Sequence, residues 1–396
     1  MAAALLPGAA WGAGADAPQA PYGTGACAFP MKKQIAERPW PLQRLVPDAL
    51  WARTKGADAQ GNRVRVAVID TGVDRTNPQL AGAGAVDAAA GRDFLDVRGD
   101  GTRDTVGHGT RVAGIIAARP RPGTGFVGLA PEATIIPIRQ NDGQGNGDVG
   151  TLSEAIDHAV AEGAQVINIS QDTEAPVGPG SALAGAVRRA IAANAVVVAA
   201  AGNDGLGGEK RATYPAALEG VLAVAASDRN NERAAFSQSG GFIGVAAPGV
   251  DIVSTVPGHG QCVDSGTSFA APYVAAVAAL VRARHPDWTP RQVVWQIENT
   301  AERAVDGRDD HVGWGVVDPV RAVTEDRAAP RPPVRDPGHL AAVAPHVPAL
   351  DPAGAARRRE ERLAVYALAV AGLLVAVIAG TAVVLRDARD GARRIR

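Results

Sequence analysis

Cysteine, lysine and aromatic side chains are scarce in this chain. Two cysteines, Cys27 and Cys262, stand among 396 residues. That excludes a disulfide-dense scaffold and any four-cysteine zinc site, and permits one bridge. The seven histidines include no His-Glu-x-x-His pair, so a zincin-type metal site has no support. Forty basic residues against forty-one acidic ones leave a formal charge of −1. With no basic excess to hold a phosphate backbone, the composition argues against nucleic acid as a partner. Lysine supplies four of the forty, Lys32, Lys33, Lys55 and Lys210; no function follows from that bias. What the chain has instead is glycine, 47 residues without a period of three. This excludes collagen and fits a fold with many tight turns or close backbone approaches. A hydrophobic content of 46% with 20% charged residues is that of a globular protein.

The two ends differ from the middle. Residues 1–15 are small and apolar and contain Ala13-Gly14-Ala15, an A-x-A pattern suited to signal-peptide cleavage before Asp16, although a basic n-region is missing. The alternative is a plain Ala/Gly-rich terminus. At the other end Leu363 to Leu385 runs 23 residues without a charge, and a membrane span needs about 20. Four arginines precede it and five follow, Arg386 to Arg396. That weak bias places residues 386–396 in the cytoplasm. Between Asp326 and Pro352 the chain is proline-rich and aperiodic, which predicts a semi-extended tether of about 60–80 Å at ~3.1 Å per residue, the core of a linker over residues 326–362. An ordered strap along the domain surface is the other reading.

The remaining stretch alternates strand and helix signals. Val64 to Ile69, Val166 to Ile169, Ala195 to Ala199 and Val221 to Val224 are short β-branched runs of buried-strand type. Helices are expected over Leu152 to Glu162, opened by Thr151-x-x-Glu154 as a capping box, and over Ser181 to Ala192. This pattern predicts an α/β fold: a mainly parallel sheet with helices on both faces and functional groups at the carboxyl ends of the strands.

Three segments at such ends carry reactive side chains. Asp70 closes a strand in Val68-Ile69-Asp70-Thr71-Gly72. His108 lies between glycines in Gly107-His108-Gly109-Thr110, where another backbone can approach closely. Ser268 opens a long apolar helix in Ser265-Gly266-Thr267-Ser268-Phe269. Each has a bland reading alone: a turn aspartate, a turn histidine, an N-cap serine. Pro272 is compatible with that helix if it falls in the first turn. Together, Asp, His and Ser in this order match one of the known chain orders of a catalytic triad. Serine needs a base to take its proton; histidine has a suitable pKa; the aspartate would fix its tautomer. Asn203, after the buried run Ala199 to Ala201, could donate to an oxyanion together with the Ser268 amide. Asp264-Ser265-Gly266 echoes the nucleophile motif of trypsin-like enzymes, but their His-Asp-Ser order is missing and no G-x-S-x-G elbow occurs, so Ser265 is read as scaffold.

On these residues the chain resembles the subtilisin-type serine proteases over roughly Trp51 to Val323. Tyr214 to Val221, Phe236 to Gly240, Ala247 to Ile252 and Gly313 to Asp318 are similar to further family segments. The resemblance implies a subtilisin-like three-layer fold, a triad of Asp70, His108 and Ser268, and Asn203 as oxyanion donor. It allows calcium, for which no site can be assigned, and implies no other cofactor or metal. It also departs from the family. Where subtilisins end a substrate-pairing strand in Ser-Leu-Gly or Ser-Trp-Gly, this chain has Ser170-Gln171-Asp172, so substrate preference cannot be carried over.

Only about fifty residues separate Asp16 from Asp70, too few for a folding pro-domain. Residues 16–50 read instead as a proline-interrupted strap, and outside the cytoplasm Cys27 and Cys262 would pair and pin it beside Ser268. The layout is an N-terminal extension (16–50), a protease domain (51–325), a linker (326–362), a single span (363–385) and a short tail. It resembles the mycosins, membrane-anchored subtilisin-like proteases of type VII secretion systems. That resemblance implies limited processing of exported proteins, a protease domain outside the cell membrane and contact with the secretion membrane complex. A mainly structural role in that complex is the alternative.

Overall fold

A computed structural model describes residues 27, 29–31, 34–142, 147–208, 210–303, 307–325, 329–334, 363–366, 368 and 380–381. Seven strands form one parallel sheet: β1 (Arg65–Asp70), β2 (Arg92–Asp93), β3 (Thr134–Arg139), β4 (Val166–Ile169), β5 (Val196–Ala200), β6 (Leu222–Ser227) and β7 (Ile243–Pro248). Their order is β2-β3-β1-β4-β5-β6-β7, and every pairing is parallel. An antiparallel hairpin follows, β8 (Ile252–Thr255) and β9 (Gln261–Asp264). The α-helices of this domain include α1 (Trp40–Arg44), α2 (Pro47–Trp51), α3 (His108–Ala117), α4 (Val149–Ala161), α5 (Ala182–Ala192), α6 (Thr267–Arg284), α7 (Pro290–Thr300) and α8 (Pro319–Thr324).

The strands are apolar on both faces because both faces are covered. In β1, Val66 and Val68 join the core beneath α3 and α6, while Ala67 and Ile69 join the core beneath α4 and α5. β4 and β5 split in the same way, Val166, Val196 and Val198 against Ile167, Val197 and Ala199. This is the expected α/β architecture with helices on both faces. α6 runs through the centre with nearly all of its 18 residues buried, which explains why its sequence is apolar all round.

Three local expectations are corrected. The helix expected from Leu152 begins at Val149, and its cap is Asp148, whose carboxylate accepts from Thr151 N while Thr151 Oγ1 accepts from Asp148 N. Thr151 is therefore the third residue of a capping box rather than its first. Ser268 is the second residue of α6, not its opener, and Gly266 caps that helix without a side-chain bond. Pro272 consequently sits in the second turn. Its missing N–H is the one that would have bonded the Ser268 carbonyl.

The described part of the N-terminal extension packs on the protease core: Leu42, Leu45 and Leu50 are buried in the same core as β1. The strap also makes polar contacts. Met31 N donates to His259 O (2.8 Å), Ile35 N to Gln261 Oε1 (2.8 Å) and Trp40 Nε1 to Val250 O (2.9 Å). Cys27 and Cys262 are disulfide-bonded. Past the domain, Asn299 Nδ2 donates to Arg331 O (2.8 Å), so the proline-rich tract starts along its surface.

Residues 338–396 form a second compact unit. The signal segment, most of the linker, the tail and all but seven residues of Leu363 to Leu385 lie outside the described residues. Among the described residues no helix is long and apolar enough to cross a membrane, nor does any group of three His, Cys, Asp or Glu side chains stand where it could hold a metal ion.

Candidate active site

The carboxyl ends of β1, β4 and β5 lie side by side at the centre of the sheet, and Asp70, Ser170 and Asn203 stand on or just beyond them. Asp70 is the last residue of β1 and is 1% exposed. Its Oδ1 accepts from Thr71 N (2.8 Å) and faces His108 Nδ1 at 2.7 Å. The other carboxylate oxygen, Oδ2, is buried without a described partner.

His108 is the first residue of α3 and reaches Asp70 because the two glycines beside it let the helix come close. A Cβ on Gly109 would stand 2.1 Å from Gly72 O and 3.0 Å from Asp70 Cβ, contacts that no side chain tolerates. Gly107 precedes the helix at φ 80°, left-handed backbone that suits glycine.

A second aspartate, not anticipated from the sequence, locks this corner. Asp104 Oδ1 accepts from Thr71 Oγ1, Val106 N and Gly107 N, and Oδ2 from Thr110 N and Thr110 Oγ1. Thr71 Oγ1 in turn accepts from Gly109 N (2.9 Å). Burial pushes the Asp104 carboxyl above its ordinary value, against the pull of these donors. The signal was an acidic residue just ahead of a helix start, where free N–H groups need an acceptor.

Ser268 is half-buried, and its hydroxyl donates to Ser170 O (2.9 Å). The next residue, Phe269, packs on the His108 ring with centroids 5.3 Å apart, so the structure brings His108 and the Ser268 turn together. Asn203 Oδ1 accepts from Thr267 N (2.9 Å) and Thr267 Oγ1 (3.1 Å), which fixes the amide with its nitrogen on the other side. A Cβ built on Gly266 would lie 3.7 Å from both Asn203 Nδ2 and Ser268 N. Those two donors therefore flank one point, at the N-terminus of α6, where negative charge is stabilised. Ser265, read as scaffold, accepts from Asp251 N (2.9 Å).

Arg111 and Asp264 form a buried ion pair, with side chains 9% and 8% exposed. It joins the second turn of α3 to the end of β9, four residues before Ser268. Arg111 Nε also donates to Gly107 O (3.0 Å), and its guanidinium lies 5.1 Å from the Phe269 ring centroid.

The groove beside Ser268 differs from what Ser-Leu-Gly would give. Gln171 bonds Asn141 and Gln140 through its side-chain amide, bridging the loop after β3 to the loop after β4. A cleft of about 400 Å³ runs alongside, lined by Gln140, Asn141, Leu152, Gln171, Asp172 and Tyr214.

This parallel α/β core, with Asp70, His108 and Ser268 near the sheet's carboxyl edge, is that of a subtilisin-like serine endopeptidase. The Subtilase family profile matches residues 61–315, and the chain belongs to the subtilase family. Among its relatives, Mycosin-1 of Mycolicibacterium smegmatis is 33% identical over 91% of this chain and 88% of its own length. The thermophilic serine proteinase of Bacillus sp. (strain AK1) is 39% identical over 71% of this chain and 66% of its own. Among solved structures, the MycP3 protease from the type VII (ESX-3) secretion system aligns with a TM-score of 0.65 at 35% identity, covering 74% of this chain and 92% of that one.

Proposed function

We propose that Asp70, His108 and Ser268 are the catalytic triad of an endopeptidase that performs limited processing of exported proteins at the cell membrane. The observation that carries this reading is the 2.7 Å contact of Asp70 Oδ1 with His108 Nδ1, beside the N-terminus of α6 that bears Ser268. Asp70 holds the imidazole with Nδ1 protonated, leaving Nε2 as the base. The Ser268 hydroxyl leaves the Ser170 carbonyl, gives its proton to Nε2 and attacks the peptide carbonyl. The resulting oxyanion takes hydrogen bonds from Asn203 Nδ2 and Ser268 N, and His108 then returns the proton to the leaving amine.

Asn203→Ala is expected to lower kcat by about 10²–10³, a scale taken from subtilisin, itself a relative, rather than from this geometry. Steady-state kinetics on any cleaved peptide checks it; an unchanged kcat would remove Asn203 from the site.

The membrane part of the proposal rests on the uncharged run Leu363 to Leu385. The type VII part rests on the similarity to Mycosin-1 and the MycP3 protease. In this reading residues 326–362 tether the protease outside the cell membrane, the C-terminus is cytoplasmic and the secretion membrane complex is the partner. A mainly structural role in that complex is the second reading. The departure of Gln171 and Asp172 from the family's substrate-pairing Ser-Leu-Gly, with Gln171 bonded to Gln140 and Asn141, favours it.

Full-length protein in detergent, treated with an alkyl fluorophosphonate and mapped by mass spectrometry, separates the two. An adduct on Ser268 that weakens in His108→Ala supports catalysis. A folded, monodisperse protein that takes no label supports the structural role.

A further inference from the structure

None of the described bonds of Asp104 goes to the side chain of Asp70, His108 or Ser268, yet the residue ties together the two elements that carry the first two of them. Two buried hydroxyls make the connection. Thr71 Oγ1 accepts from Gly109 N (2.9 Å) and donates to Asp104 Oδ1 (3.0 Å). Thr110 Oγ1 accepts from Asp74 N (2.9 Å) and donates to Asp104 Oδ2. Thr71 and Asp74 belong to the chain leaving β1, Gly109 and Thr110 to the first turn of α3. Each hydroxyl thus takes an N–H from the opposite element. A hydroxyl has one hydrogen to give, and both give it to the same carboxylate.

The place of these links decides what they do. Thr71 follows Asp70, and Gly109 follows His108. The Gly109–Thr71 bond is therefore the neighbouring rung to the 2.7 Å contact of Asp70 Oδ1 with His108 Nδ1. Asp104 also accepts from Gly107 N (2.7 Å) and Thr110 N (2.9 Å), on either side of His108. Free N–H groups at a helix start need such acceptors. Loosening this corner need not unfold the protein. Val112, Ile115 and Ile116 of α3 are buried in the core, and β1 is paired with β3 and β4. What Asp104 fixes is the first turn of α3, the part that sets where the His108 ring stands.

We infer that Asp104 is a positioning residue for catalysis: acting through Thr71 and Thr110, it holds the His108 imidazole in place against Asp70 and the turn that bears Ser268. The inference rests on the catalytic reading of Asp70, His108 and Ser268 and adds a residue outside the triad on which the rate depends. The chemistry calls for a carboxylate. The groups bonded to Asp104 are all donors, the two hydroxyls and the amides of Val106, Gly107 and Thr110. Only acceptors at both oxygens satisfy them. Asparagine has nearly the same shape but turns one oxygen into a donor, which would face donors and leave them unpaired.

The test labels full-length protein in detergent with an alkyl fluorophosphonate. Mass spectrometry reads both the rate constant and the final extent of Ser268 modification. These two readouts separate positioning from folding. A residue that merely stabilises the fold changes the fraction that can be labelled. A positioning residue changes the rate constant of molecules that all become labelled. A displacement of about 1 Å costs on the order of 10²-fold, so Asp104→Asn is expected to slow labelling by about 10- to 100-fold while the reaction still runs to completion. Thr71→Val removes the hydroxyl relay, whereas Thr71→Ser keeps it. Thr71→Val should slow labelling several-fold, and Thr71→Ser should label like the wild type. Adding Thr71→Val to Asp104→Asn should cost little more, because both break the same link.

An unchanged rate constant in Asp104→Asn, with or without a smaller labelled fraction, overturns the inference and leaves the triad standing. If Asp104→Asn does not fold, the threonine variants decide. Thr71→Val at the wild-type rate, or Thr71→Ser as slow as Thr71→Val, overturns it. A folded wild type that takes no label removes the triad reading, and the role of Asp104 with it.

Discussion

Ser268→Ala is expected to abolish peptide cleavage while leaving the protein folded. The hydroxyl supplies the nucleophile, and nothing near it can substitute: Ser265 is bonded to Asp251 N and Thr267 Oγ1 to Asn203 Oδ1. The loss in kcat should be about 10⁶, a scale set by subtilisin and inherited from that relative. His108→Ala should lose about as much, and the double variant little more, because base and nucleophile act as one unit. Folding should barely change. The lost contact is one hydrogen bond to the Ser170 carbonyl, worth about 1 kcal/mol. Cleavage of a peptide substrate and thermal unfolding, measured on the same preparations, check both halves. Residual cleavage within tenfold of wild type would show that Ser268 is not the nucleophile. The same variant separates the two functional readings in cells. A structural partner of a membrane complex should still support secretion when it carries Ser268→Ala, and a processing enzyme should leave its substrate uncut.

How much of this site was legible follows from which features are local. Asp70, His108, Asn203 and Ser268 each sit at or just beyond the end of a strand or helix, within two residues of a glycine that shows in the sequence. The glycine beside His108 read as a place of close backbone approach, and Gly109 does meet Gly72 O there. The alternating strands and helices were legible for the same reason, since period and punctuation are short-range signals. What could not be read depends on distant pairings. Asp104 needs Thr71, 33 residues away, to bind α3 to β1. Gln171 was visible as a departure from Ser-Leu-Gly, but its bonds to Gln140 and Asn141 depend on how two loops meet. The cap of α4 failed at shorter range. Thr151 and Asp148 are both good cap residues, and in the folded chain they bond each other, Asp148 as the cap and Thr151 as the third helical residue.

The ion pair of Arg111 with Asp264 is the strongest case of a pairing that sequence hides, its partners standing 153 positions apart. Both side chains are nearly buried, one on the helix that begins with His108 and the other ending the strand that leads to Ser268. Asp264→Ala should therefore destabilise the fold by about 3–5 kcal/mol, because it strands a buried guanidinium. Arg111 would keep its bond to Gly107 O and its place over Phe269, neither of which neutralises its charge. Removing both charges should cost far less. The double variant Arg111→Leu with Asp264→Leu should recover most of the loss, since well-packed apolar residues often replace a buried pair at little cost. Denaturant unfolding of the single and double variants measures the coupling directly. If the single and double variants are equally unstable, the pair contributes through packing rather than charge. Activity gives a second readout. Because the pair ties α3 to the approach of α6, its loss should slow fluorophosphonate labelling of Ser268 even at temperatures where Asp264→Ala is fully folded. A displacement of about 1 Å between base and nucleophile is enough to cost on the order of 10²-fold.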